Sequence, residues 1–150
     1  MDEDQYRSIY HEMNQQRCVF EKALLNRRCD CSRKQSFLLA TREGIACQAT
    51  ASLERCDLFL TTLRQAARFA LHEVTITGPL PHNKELKVQA GGCLALSSCL
   101  FPEQSTKPII DIDALLSAAL QQYSQLENLP YSELVRGVVH YVSRPSARRS

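Results

Sequence analysis

Five of the seven cysteines in this 150-residue chain fall between Cys18 and Cys56, at positions 18, 29, 31, 47 and 56. The spacing is C-x10-C-x-C-x15-C-x8-C. Such a cluster constrains the fold more than any other feature, because thiols close in sequence must be kept reduced, paired or bound to metal. The opening segment 1–10, MDEDQYRSIY, is acidic and is followed by no apolar run of a secretory type, so a cytoplasmic, reducing location is expected. No stretch approaches the ~18 apolar residues of a membrane span, and no membrane insertion is expected. An odd number of cysteines also argues against a fully paired disulfide framework. Metal binding or redox chemistry is the remaining reading of the excess.

Thiolates are soft ligands, and zinc or iron–sulfur cores commonly take four of them. Zinc knuckles usually show C-x2–4-C, and the chain has no C-x2-C. Its four histidines, at 11, 72, 82 and 140, are scattered and form no Cys/His pattern. A C-x-C pair with distant single cysteines suits an iron–sulfur cluster of the four-thiolate type, with zinc as the alternative. Cys29, Cys31, Cys47 and Cys56 are the expected ligands. Gly44, just before Cys47, offers a turn close to the metal. Cys56 falls near the start of an expected helix, where the positive helix end favours a thiolate, although its apolar neighbours also suit a buried thiol.

Cys18 is the alternative fourth ligand. It lies off the apolar stripe of the first expected helix. In an unbroken helix, eleven residues would hold it roughly 16 Å from Cys29, so it joins the site only if the chain turns back near Asn26. Cys93 and Cys99 stand six apart in an apolar segment and are expected in the core. His72 and His82 are expected as capping or surface residues.

Charge supplies a second argument. Overall the chain is nearly neutral, at +2, but residues 17–42 hold seven basic residues against two acidic ones. Arg27, Arg28, Arg33 and Lys34 flank the C-x-C pair. They would stabilise an anionic metal–thiolate core and lower thiol pKa values. The same segment could instead bind nucleic acid, but aromatic residues are only 7% of the chain and no stacking pattern interleaves with the basic ones.

Helical periodicity dominates elsewhere. Tyr6, Ile9, Tyr10, Met13, Phe20 and Leu24 predict one helix over 2–25. Further helices are predicted from Ser52 to about Leu71, across NKELKVQAGGCLALSSCLF, from Asp111 or Asp113 to about Gln125, and over 131–142. The stretches TITGPLPH and FPEQSTKP read as breaks. No segment shows sustained period-two alternation. An all-α single domain of about five helices is expected over 1–143, with a Cys-rich part at 18–56 and a basic tail at 144–150.

No P-loop, dinucleotide fingerprint, serine elbow or zinc-protease motif occurs, and an enzyme is not expected. The sequence points to a small metal–thiolate protein acting in electron transfer, in sensing or as an accessory subunit of a larger protein or enzyme complex. The alternative is a regulatory or nucleic-acid-binding module, with zinc or no metal, using 17–42. Another is a helical adaptor that docks through the last two helices.

Overall fold

The structure is a computed structural model that describes residues 2–73, 78–103 and 110–142. Helix α1 (Glu3–Met13) starts on a capping box: the Asp2 carboxylate accepts from the Gln5 N–H, and Gln5 reaches back to the Asp2 N–H. Helix α2 (Glu21–Leu25) follows, then β1 (Cys29–Asp30), β2 (Lys34–Leu39) and β3 (Arg42–Cys47). Helix α3 (Thr50–Ala67) is the longest element. Helix α4 (His82–Leu86) runs through a π turn, 87–91, into α5 (Gly92–Leu100). Strand β4 (Ile110–Asp111), α6 (Ile112–Tyr123), a 3-10 turn at 126–128 and α7 (Tyr131–His140) complete the described chain.

The all-α expectation is therefore corrected. The fold is mostly helical but mixed, with an antiparallel β2–β3 hairpin and a short parallel β1–β4 pair. The hairpin registers Lys34 with Cys47 and Leu39 with Arg42. Its two-residue turn contains no glycine; Ala40 takes the left-handed conformation instead, at φ 59°. Gly44 does not make a turn. It sits in β3 opposite Phe37, where an added Cβ would lie 2.5 Å from Phe37 Cζ and 2.8 Å from Tyr10 Cε2. The missing side chain makes room for both rings.

The single helix expected over 2–25 is also corrected. It ends at Asn14, whose Nδ2 donates to the Ile45 carbonyl on β3 and to the Tyr10 hydroxyl. Tyr10, Phe20 and Leu24 are buried, but Met13 is 57% exposed, so the apparent stripe joined two separate elements. From residue 16 the chain runs against β3: Cys18 N–H donates to Ile45 O at 3.0 Å, and Cys47 N–H to Gln16 O at 2.8 Å. The reversal that could bring Cys18 into the site thus comes before Asn26.

The buried residues form one cluster centred on Phe59, Leu60, Leu63, Leu96, Leu116 and Leu134. Asp111 caps α6 by accepting from the Asp113 N–H. Helices α5 and α7 cross at small residues. A Cβ on Gly137 would stand 2.4 Å from the Ala95 Cβ, and one on Gly92 would stand 2.3 Å from Leu63 Cδ2. This explains the glycine pair within a helical run: a Cβ on Gly91 would stand 3.0 Å from the Gly137 carbonyl oxygen, while the space beside Gly92 is filled by the Leu63 side chain. The expected tail 144–150 and parts of both predicted breaks lie outside the described residues.

Candidate metal–thiolate site

Cys18, Cys31, Cys47 and Cys56 line one small cavity of about 20 Å³, together with Ser52, Asp113 and apolar side chains. Four elements meet there. Cys18 comes from the segment tied to β3, and Cys47 ends β3 itself. Cys31 follows β1 and lies against the start of α6, while Cys56 is in the second turn of α3. The two competitors for the fourth position, Cys18 and Cys56, both face this cavity.

Cys29 does not. It is 4% exposed and its thiol hydrogen-bonds with that of Cys93, which is fully buried. Strand β1 turns Cys29 into the core, and Cys31, just beyond the strand, faces the cavity. The contact with Cys29, followed by burial, pushes the Cys93 thiol well up. Cys99 is partly buried, away from the cavity lining.

Burial is the main force on the cavity thiols, because it disfavours the charged form. It pushes Cys18 up to about 12, opposed by a backbone N–H from Phe20 and reinforced by Cys56, Cys31 and Cys47. Cys56 is likewise pushed up to about 12 by burial, with Arg55 opposing. Cys31 is raised by burial against two backbone donors, the N–H groups of Arg33 and Asp113. The Arg33 N–H lies 3.4 Å from Cys31 Sγ. Cys47 instead donates its thiol proton to the Ala49 carbonyl at 3.2 Å.

Asp113 lines the cavity too. Its carboxylate accepts from Ser52 Oγ at 3.0 Å, Arg55 at 2.7 Å and Arg33 Nε at 3.4 Å. Two guanidinium groups therefore stand beside the thiols while a carboxylate holds them. The other residues of the basic run are also occupied: Lys34 pairs with Asp30 at 2.7 Å and Arg27 with Glu43 at 3.4 Å, while Arg28 lies against Tyr141. These are surface pairs, in which the Arg27 and Arg33 side chains stay 67% and 55% exposed.

The donor chemistry suits a soft metal, but the present placement is not a closed coordination shell. Among the described residues no group of three or more His, Cys, Asp or Glu is placed to hold a metal ion. The cavity has room for about one water-sized body. Loading would need the thiols to lose protons and reorient on their backbone supports. Sequence reasoning singled out five cysteines and missed the supports. Asp113, Arg55 and the Phe20 N–H come from segments whose approach only the fold creates.

Among the described residues no helix is long and apolar enough to cross a membrane. Compared with known proteins, the chain matches no family model, no curated protein and no solved structure.

Proposed function

We propose that the chain is a metal–thiolate protein whose ligands are Cys18, Cys31, Cys47 and Cys56, with an iron–sulfur cluster as the occupant. One observation carries the reading: four thiols face one cavity, and backbone N–H groups are aimed at the sulfurs of two of them. An N–H aimed at sulfur gains most when the sulfur is anionic. Burial meanwhile disfavours the anion. A bound cation eases that conflict, because it replaces the protons and offsets part of the thiolate charge.

Tetrahedral zinc needs four ligands at about 2.0–2.3 Å from one centre. The occupant proposed is a cluster that spaces the four thiolates with its own inorganic sulfide, with zinc as the alternative. When bound, such a cluster would supply one-electron redox chemistry. The chain's own part is to hold the sulfurs, donate N–H groups to them and place Arg33 and Arg55 nearby. The role that follows is electron transfer, sensing or service as an accessory subunit in a reducing, cytoplasmic setting.

The test is anaerobic purification followed by iron, acid-labile sulfide and zinc analysis with visible absorption. Iron and sulfide in equal amounts with a brown chromophore are expected. Zinc alone would replace the cluster with the alternative occupant. A folded, colourless protein that stays metal-free after reconstitution with either metal would overturn the proposal.

A further inference from the structure

A buried polar network ties the Cys18 segment to the helix that carries Cys56. Gln89 is 2% exposed and lies in the π turn, 87–91. Its Oε1 accepts from the Ala23 N–H at 2.9 Å, and its Nε2 donates to the Val19 carbonyl at 3.2 Å. The same Nε2 donates to Glu85 Oε2 at 2.7 Å. Glu85 in turn takes a two-nitrogen contact from Arg64 on α3, at 2.7 and 3.0 Å, and the Leu80 N–H at 2.9 Å. Every polar atom of the Gln89 amide group is thus spent on the chain just after Cys18 or on Glu85.

Cys18 occupies a special position among the four thiols. It lines the small cavity and also an open groove of about 760 Å³, whose wall includes Arg64, Glu85 and Gln89. The other three thiols do not line that groove. Cys18 therefore forms part of the wall between the cavity and the groove, and its position shapes both. Strand β3 fixes its N-terminal side through the Ile45 carbonyl. Its C-terminal side is fixed by Gln89. A π turn, rare in soluble folds and often found at functional sites, displaces a residue from ordinary helical register.

We infer that Gln89 is a positioning residue for Cys18, holding this thiol at the boundary between the cavity and the groove. The inference rests on the proposed thiolate site for its purpose, but its mechanical content can be tested without metal. Loss of the amide would leave the Ala23 N–H and the Val19 carbonyl unpaired in a buried setting, which favours local opening.

The test is iodoacetamide labelling of metal-free full-length protein, with rates read peptide by peptide. In Gln89→Met the rate at Cys18 should rise about tenfold relative to Cys99 in the same molecule. Equal Cys18-to-Cys99 ratios in wild type and variant would overturn the inference. Should Gln89→Met fail to fold, Gln89→Glu serves. Its carboxylate cannot donate to Val19 O or Glu85, so the ratio should rise above the pH of ionisation and fall back on protonation. A ratio that stays at the wild-type value across pH would overturn the inference. Metal content measured in parallel separates the two ideas: a wild type that takes no metal defeats the proposed function, while the labelling ratio still decides the role of Gln89.

Discussion

The backbone N–H of Arg33 points at the sulfur of Cys31 across 3.4 Å. Such a bond is weak for a neutral thiol and stronger for a thiolate, and here it opposes, without outweighing, the burial that raises the Cys31 pKa. The Asp113 N–H at the start of α6 adds a second donor to the same atom. Neither donor belongs to a side chain, so no substitution of a neighbouring residue other than proline removes it.

Single cysteine substitutions should divide six of the seven thiols into two groups. Cys18→Ser, Cys31→Ser, Cys47→Ser and Cys56→Ser should each lower metal affinity by more than the ~10–100-fold that loss of an outer-shell partner costs. Cys29→Ser and Cys93→Ser should leave metal content unchanged, since both thiols lie in the core behind the cavity. Metal-to-protein ratios after anaerobic reconstitution check this. Full loading of Cys31→Ser, or loss of metal on Cys29→Ser, would assign the ligands differently.

The metal-free protein should lose stability at alkaline pH. The folded-state pKa of Cys18 and of Cys56 is raised to about 12, above an ordinary thiol value of 9.0. A raised pKa means that the folded state holds its protons more tightly than the unfolded one. The stabilisation is fully present below pH ~9 and is lost as pH climbs from there towards ~12. Urea midpoints taken across that range should fall, and Cys18→Ser or Cys56→Ser should flatten the fall. Metal binding has the opposite dependence below pH 9: each ligand surrenders a proton, so affinity should rise with pH.

Helix periodicity was legible wherever the chain packs locally. The runs around Leu60, Leu116 and Leu134 became α3, α6 and α7 because each buries a face whose residues repeat every three or four positions. The hairpin was not legible. Its turn is Ala40-Thr41, with none of the Asn or Gly that usually marks such a turn, and only Gly44 and Ile45 of β3 and neither Phe37 nor Leu38 of β2 are buried. The break at Asn14 depends on a carbonyl 31 residues away. In the site, cysteine clustering identified all four cavity thiols among five candidates. It could not remove Cys29, because β1 ends at Asp30 and only the fold shows that the chain changes direction between Cys29 and Cys31.

Ala40 supplies a direct check on the hairpin. At φ 59° an alanine carries the left-handed penalty that glycine avoids. Ala40→Gly should therefore stabilise the protein by about 1 kcal/mol, less the extra entropy of a glycine in the unfolded chain. A higher thermal midpoint with an unchanged circular dichroism spectrum is the expected result. A drop in midpoint would mean that residues 34–47 pair through some other turn.

The Arg64–Glu85 pair makes the last prediction. Arg64 is 7% exposed and Glu85 1%. Burial alone would push the Glu85 carboxyl up. The Arg64 guanidinium, the Leu80 N–H and the Gln89 amide outweigh it and hold the carboxyl below its ordinary value of 4.5. A depressed pKa contributes stability above the unfolded value and loses it as pH falls through the folded value, so the loss belongs below pH ~4.5. Removing one partner of a buried pair costs about 3–5 kcal/mol, because the other charge stays behind unpaired. Glu85→Ala should thus be far more destabilising than the surface change Glu133→Ala, whose partner Arg136 is 73% exposed. The double variant Arg64→Met/Glu85→Leu should recover much of the loss, since an apolar pair of similar volume leaves no buried charge. It would still lack the acceptor for Gln89 Nε2 and the Leu80 N–H. Recovery of global stability together with a raised Cys18 labelling rate would separate the network's contribution to folding from its role in fixing the thiol.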